Sequence, residues 1–143
     1  MGDRSGCERR DLHRGRTRIE FGSDGLNIFV AKLNKDGTAA LFTQEIGGSA
    51  DEQAYGIGVD SAGNIYLTGY TSSSNFPVVG TSQNLRGQSS DAFFMKLPQS
   101  GQIIFSNYLG GGGSDNAYGL ALDGLGNLWI CGGNSVDGFL HND

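Results

Sequence analysis

One stretch of this sequence is written twice. Residues 54–70 read AYGIGVDSAGNIYLTGY, and 63 residues further on, residues 117–133 read AYGLALDGLGNLWICGG. The agreement extends to neighbouring segments, since FVAKL at 29–33 matches FFMKL at 93–97. Similarity that recurs at a fixed period is typical of repeat proteins, in which each repeat forms one supersecondary unit.

Each period contains four short segments with the composition of β-strands. They are rich in β-branched and aromatic residues and are bounded by Gly, Ser, Asn or Asp. In the fullest copy they lie at 54–60, 65–70, 92–97 and 102–108. Four short antiparallel strands that recur as a unit indicate a propeller blade. The first strand alternates glycine with larger apolar residues, which predicts close approach of another backbone and the innermost place in the blade.

The predicted fold class is therefore all-β, a partial β-propeller of about two and a half four-stranded antiparallel blades. Residues 1–21 form an irregular basic arm or a degraded half-blade, and residues 22–143 carry the repeats. The repeats divide into an outer half-blade at 22–48, a full blade at 49–110 and a partial blade at 111–143. In the last of these, DGFL at 137–140 resembles DAFF at 91–94 and predicts the start of a third strand.

A closed propeller usually has 4–8 blades, so this chain alone does not supply a ring. We expect a fragment of a larger protein. The alternatives are closure of the ring by several chains, or self-association through open blade edges, which recruit other strands.

The repeated hairpin contains three residues suited to its turn. An aspartate can accept hydrogen bonds from the backbone of the turn, a glycine tolerates positive φ, and an asparagine tolerates it better than most residues. These predicted structural turn residues are Asp60, Gly63 and Asn64 in one copy and Asp123, Gly126 and Asn127 in the other. Because all three recur, we interpret them as architecture.

Charge and cysteine content exclude several classes of protein. The net charge is −5, and although six arginines lie in the first 20 residues, acids interrupt them and the rest of the chain is acidic. We therefore expect no nucleic-acid partner. No run is apolar enough for membrane insertion, and no signal peptide is evident. The only cysteines, Cys7 and Cys131, cannot build a disulfide framework, and Cys131 is expected to be a small buried residue in its strand.

No catalytic constellation is visible in the sequence. The only histidines, His13 and His141, lie near the ends and outside the strong repeat. LGGGGSDN at 109–116 lacks the lysine of a phosphate loop, and NKDG at 34–37 lacks the spaced acids of a calcium loop. We expect no metal, no cofactor and no enzymatic activity. The alternative is part of a propeller-fold enzyme, a lyase or glycosidase, whose site is completed by missing blades.

The longest segment without strand character is the loop at 71–90. Loops on rigid β scaffolds often carry binding, and three residues of this loop are candidates for contact with a partner: Asn75, Phe76 and Arg86. The alternative is a polar connection whose phenylalanine tucks under the blade. The second copy replaces this region by CGGNSVDGF at 131–139 and so loses the long loop.

Three segments together resemble the SBBP-type β-propeller repeat family: AYGIGVDSAGNIYLTGYTSSSNFP, DAFFMKL and YLGGGGSDNAYGLALD. The resemblance covers about residues 22–140, although the hairpin by itself is also similar to that of NHL-type propellers. It implies a β-propeller of the kind found in large secreted or surface-attached bacterial proteins, and it implies no reaction. The predicted function is a structural or interaction module, extracellular or at the cell surface, that binds a protein or glycan partner through face loops.

Overall fold

The structure is a computed structural model that describes residues 25–80 and 90–135, together with the backbone of two short segments at 10–11 and 16–17. The described residues are β-strands, turns and loops. The predicted arm at 1–21, apart from those two segments, and the predicted third strand at 137–140 lie outside the described residues. The strands are β1 (Arg10–Asp11), β2 (Arg16–Thr17), β3 (Ile28–Leu33), β4 (Ala40–Ile46), β5 (Glu52–Val59), β6 (Ile65–Thr71), β7 (Asp91–Leu97), β8 (Phe105–Leu109), β9 (Asp115–Leu122) and β10 (Leu128–Asn134).

All pairings between these strands are antiparallel. The strands β5-β6-β7-β8 form one four-stranded sheet in chain order, while β3 with β4, β9 with β10, and β1 with β2 form two-stranded sheets. One complete blade therefore stands between two half-blades. The all-β class and the partial propeller are confirmed.

The repeat in the sequence is also a repeat in the hydrogen bonding. The strands β5 and β6 pair with a register shift between Ala54 and Gly56, and β9 and β10 pair with an irregularity between Cys131 and Gly132. At both places a glycine of the second strand, Gly69 or Gly132, lies so close to the opposite backbone that a side chain would collide with it. The glycines at these two positions thus allow each hairpin to bulge.

The main hydrophobic core lies between the first half-blade and the complete blade. Its buried members come from β3 and β4 on one side and from the complete blade with its long loop on the other: Ile28, Val30, Ile46, Ile65, Leu67, Phe76, Phe93, Met95, Leu97 and Tyr108. Burial of these faces against each other is what joins successive blades, because a single sheet cannot cover its own apolar face.

The inner strands of neighbouring blades pack closely. A methyl group on Gly56 of β5 would lie 3.2 Å from the backbone nitrogen of Leu120 in β9, so this close approach leaves little room for a side chain. Nearby, the rings of Tyr55 and Tyr118, which occupy equivalent repeat positions, lie 5.4 Å apart between centroids.

Two expectations about these strands are wrong. The fourth strand of the blade was expected at 102–108 but runs from Phe105 to Leu109; the turn closed by the Gly101 N–H on the Pro98 carbonyl is followed by irregular residues at 102–104 before the strand begins. Cys131 was expected to be buried but is exposed. Its counterpart Thr68 is buried because β7 lies beside it, and no described strand lies beside β10 in the same way.

Candidate functional site

The loop that follows β6 is fixed to the blade by one aromatic ring. Phe76 is 4% exposed, and its ring lies 4.8 Å from that of Phe93 and 6.0 Å from that of Tyr108, between centroids. Phe76 is thus part of the hydrophobic core, and a binding role for this loop rests on its exposed residues. Aromatic contacts of this kind add to the free energy gained by burial.

A second attachment lies further along the same loop. Val79 donates a backbone hydrogen bond of 3.0 Å to Ser106 and accepts one of 2.9 Å from it, which forms an isolated antiparallel bridge. Since Ser106 lies in β8, the loop reaches the outer edge of the blade. The sequence analysis missed this bridge, and the apolar PVV at 77–79 within a polar loop was the signal that could have found it.

The beginning of the loop is held by a buried polar network. The Glu52 carboxylate accepts hydrogen bonds from the Gly48 N–H at 2.8 Å and from the Thr71 hydroxyl at 2.7 Å. The Thr71 hydroxyl in turn accepts from the Ser73 N–H at 3.0 Å, and the Ser73 hydroxyl accepts from the Ala50 N–H at 2.8 Å. Glu52, Thr71 and Ser73 are all buried, so their polar groups depend on these bonds.

Part of this network recurs in the next blade. The Asp115 carboxylate accepts from the Gly111 N–H at 2.8 Å, as the Glu52 carboxylate does from Gly48. The Asp115 N–H donates to the Ser90 carbonyl, which repeats the bond from the Glu52 N–H to the Leu26 carbonyl. The glycine pairs that precede Glu52 and Asp115 therefore expose backbone N–H groups to a buried acid in each repeat.

The three residues predicted to bind a partner have different positions. Asn75 is exposed, and its side-chain oxygen accepts a hydrogen bond of 2.8 Å from the Ser49 N–H. Phe76 lies in the core as described, and Arg86 lies outside the described residues. Next to Asn75, Ser74 is also exposed. Ser74 and Asn75 thus form a short polar tip between the buried residues Ser73 and Phe76.

The predicted turn residues come together in two matching turns. The Asp60 carboxylate accepts hydrogen bonds from the N–H groups of Ala62 and Asn64, from the Asn64 side chain and, at 3.2 Å, from the Tyr66 hydroxyl. Gly63 has a φ of 85°, which favours glycine.

The Asp123 turn has the same arrangement. Its carboxylate accepts from the N–H groups of Leu125 and Asn127, from the Asn127 side chain and, at 3.1 Å, from the Trp129 indole. Gly126 also has a φ of 85°. Each of these carboxylates therefore serves its own hairpin.

These hydrogen bonds lower the pKa of both carboxyl groups. The pKa of Asp123 falls from its usual 3.8 to about 2, first through the Asn127 side chain and then through the Trp129 indole. The pKa of Asp60 is also lowered, first through the Asn64 side chain. A carboxylate that accepts several hydrogen bonds holds its charge to lower pH, because each bond favours the ionised form.

The Asp123 turn should lose stability only in strong acid. The pKa of Asp123 is lower in the folded state than its usual 3.8. The contribution of its charge to the stability of the folded state is therefore complete above pH 3.8, weakens as the pH falls, and is lost as the pH passes below about 2. Trp129 is the only tryptophan and bonds to Asp123, so its fluorescence should titrate with a midpoint near pH 2. Asp123→Asn should remove this step and Asp60→Asn should retain it. A midpoint at 3.8, with the β-sheet circular dichroism spectrum unchanged, would contradict the assignment.

The described residues provide neither a metal-binding cluster nor a membrane-spanning helix. Across 25–80 and 90–135, no three His, Cys, Asp or Glu side chains are grouped as a metal ion would require. Nor do those residues include a helix with the length and hydropathy of a membrane span.

Comparison with known proteins agrees with the geometry of the blades. No curated protein matches the chain. A family model described as a beta-propeller repeat, SBBP, matches residues 41–77, which run from β4 through β5 and β6 to the anchored start of the loop. Residues 41–77 of the chain are therefore similar to a β-propeller repeat of the SBBP family.

Proposed function

We propose that the chain is a non-catalytic structural module that binds a protein or glycan partner through the loops on one face of its blades. The observation that carries this proposal is the loop after β6. Buried Phe76 and the Val79–Ser106 bridge fix it, yet Ser74 and Asn75 remain exposed. A polar tip held on a rigid scaffold binds without a large loss of conformational entropy.

The turns at Asp60 and Asp123 are alike in the two copies, as expected of turns that every blade needs. The loop after β6 is therefore a better candidate than these turns for contact with a specific partner. We place the module in a secreted or surface-attached protein on the family resemblance alone.

The proposal can be tested with the full chain on glycan arrays and against surface-protein preparations. We expect one class of partner to be retained and released unchanged. Ser74→Tyr, at the exposed tip, should reduce retention about tenfold or more, the equivalent of about 1.4 kcal/mol. The matched control is Ser61→Tyr, because Ser61 is an exposed serine in the turn after Asp60 and lies outside the loop.

Two further variants separate contact from folding. Asn75→Asp keeps the oxygen that accepts from Ser49, so it should retain the loop conformation while it alters the surface. Arg86→Ala tests the part of the loop outside the described residues. Retention that is unchanged in Ser74→Tyr, Asn75→Asp and Arg86→Ala would remove this loop as the binding site, and chemical conversion of a retained glycan would contradict the non-catalytic role.

A further inference from the structure

The connection between β4 and β5 lies against the loop that follows β6. The Ser49 N–H donates a hydrogen bond of 2.8 Å to the side-chain oxygen of Asn75, and the Ala50 N–H donates one of 2.8 Å to the Ser73 hydroxyl. Gly48 is buried, and a Cβ atom there would lie 2.7 Å from the Asn75 oxygen, so the two segments are in close contact. A second segment of chain thus supports the tip of the loop.

A third hydrogen bond fixes the direction in which the two segments run. The Ser72 N–H donates to the Asp51 carbonyl at 2.8 Å, directly beyond the paired ends of β5 and β6. Residues 49–51 therefore run antiparallel to residues 72–75. We call these two segments together the joined-loop surface.

Four polar side chains of the joined-loop surface are exposed. They are the hydroxyl groups of Ser49 and Ser74, the amide of Asn75 and the carboxylate of Asp51. One oxygen of Asp51 accepts the Leu26 N–H at 2.8 Å, and among the described residues no group donates to the other oxygen. The surface therefore presents hydrogen-bond donors and acceptors on two short segments that are fixed to each other.

The next blade forms the same backbone contact without these side chains. Gly112 and Ser114 stand at the positions of Ser49 and Asp51, yet the backbone bond recurs, from the Ser135 N–H to the Ser114 carbonyl at 3.0 Å. The contact between the segments thus belongs to the architecture that the repeats share. The Ser49 hydroxyl and the Asp51 carboxylate are specific to the complete blade.

The exposed charges at this end of the complete blade are acidic. Among the residues that the structure describes, Glu45 and Asp51 are the exposed acids here. The described lysines, Lys32, Lys35 and Lys96, lie at the opposite end, near or in the turns that follow β3 and β7. Because like charges across an interface are unfavourable, an anionic partner is disfavoured.

The side chains of the joined-loop surface favour a sugar over a protein. The residues that dominate protein interfaces are enriched in Trp, Tyr and Arg, and Leu and Ser are under-represented among them. Residues 49–51 and 72–75 include none of the first three, the neighbouring Phe76 is in the core, and the exposed apolar neighbour is Leu26. Hydroxyl, amide and carboxylate groups instead match the hydroxyl groups of sugars, which both donate and accept hydrogen bonds.

We propose that the partner is a neutral glycan, and that Ser49 and Asp51 bind it together with Ser74 and Asn75. The Asp51 carboxylate accepts a hydrogen bond from a sugar hydroxyl. The Asn75 amide donates to a sugar oxygen while its own oxygen stays bonded to the Ser49 N–H. This inference rests on the proposed function, because it names the class of partner and extends the site to a second loop.

The test is isothermal titration calorimetry on the full chain. The probes are soluble neutral oligosaccharides of glucose, galactose, mannose or N-acetylglucosamine, with sulfated and uronic acid oligosaccharides for comparison. We expect a neutral oligosaccharide to bind. Its Kd should change by less than about twofold between about 50 and 500 mM sodium chloride, because salt screens only interactions between charges.

Two substitutions address the second loop. Ser49→Tyr should weaken binding about tenfold or more, as Ser74→Tyr does, because either ring would cover the joined-loop surface. Asp51→Asn keeps an oxygen that can accept from the Leu26 N–H, and it should weaken binding about fivefold because an ionised acceptor forms the stronger hydrogen bond.

The matched controls lie outside the joined-loop surface. Ser61→Tyr alters an exposed serine of the turn after Asp60, and Glu45→Gln removes an exposed acid at the same end of the blades as Asp51. Both should bind like the unmodified chain, and circular dichroism checks that every variant is folded. If Ser49→Tyr does not fold, the comparison of Asp51→Asn with Glu45→Gln decides.

The outcomes separate this inference from the proposed function. Binding that is weakened by Ser74→Tyr but not by Ser49→Tyr or Asp51→Asn would overturn the two-loop site and leave the proposed function intact. A preference for anionic oligosaccharides, or retention of a protein when no oligosaccharide binds, would overturn the neutral glycan and leave the loop as a binding site. Binding that none of these three variants weakens would count against both.

Discussion

Replacing Phe93 with alanine is expected to lower the free energy of unfolding by about 3–5 kcal/mol. Phe93 is fully buried, and its ring contacts Phe76 at the centre of the cluster that joins the first half-blade to the complete blade. Its removal leaves a cavity that the strands on both sides cannot close, because their backbones are held by ladder hydrogen bonds. Urea denaturation at low protein concentration measures the change.

The same chain contains the control for this substitution. Phe29 has the same place in its strand, yet it is exposed, so Phe29→Ala should change the free energy of unfolding of the monomer by less than about 0.5 kcal/mol. Comparable losses in the two variants would show that Phe29 is also packed in solution, and a loss below about 1 kcal/mol in Phe93→Ala would contradict the core.

Removing the buried carboxylate of Glu52 is expected to cost about 2–4 kcal/mol, because Glu52→Ala leaves the Gly48 N–H and the Thr71 hydroxyl without their acceptor. The loss should also loosen the start of the loop after β6, since Thr71 positions the Ser73 N–H. Thermal unfolding measures the first effect, and amide hydrogen exchange at Gly48 and Ser73 measures the second.

Two variants test whether the acceptor is the cause. Glu52→Gln keeps one side-chain oxygen and should lose less stability than Glu52→Ala. Glu45→Ala removes an exposed acid from the preceding strand and should change the free energy of unfolding by less than about 0.5 kcal/mol. Equal losses in the alanine and glutamine variants would mean that shape, and not hydrogen bonding, makes Glu52 necessary.

Local chemistry explains what could be predicted from the sequence. The hairpin turns follow from Asp60, Gly63 and Asn64 because all their hydrogen bonds close within a few residues. The strands could be predicted from short apolar runs between turn residues. The start of β8 at Phe105 could not, because the sequence does not show how many residues lie in the connection after β7.

Contacts that span long separations could not be predicted. The bridge from Val79 to Ser106 joins residues whose pairing depends on where the intact blade places its outer strand. The burial of Phe76 was weighed only as an alternative, because a phenylalanine in a polar loop has the same sequence signature whether it packs or binds. The burial of Cys131 was wrongly expected, since it requires a neighbouring strand that its own hairpin does not supply.

The bridge between Val79 and Ser106 also bears on how this repeat can vary. Surface loops ordinarily gain or lose residues at small thermodynamic cost. Here the stretch from the end of β6 to Val79 must be long enough to pass Phe76 and reach β8, so a deletion within it would uncover the outer edge of the blade. An uncovered edge invites pairing with foreign strands. Length variation in this repeat should therefore be confined to the segment between Gly80 and Ser90, where neither attachment is disturbed.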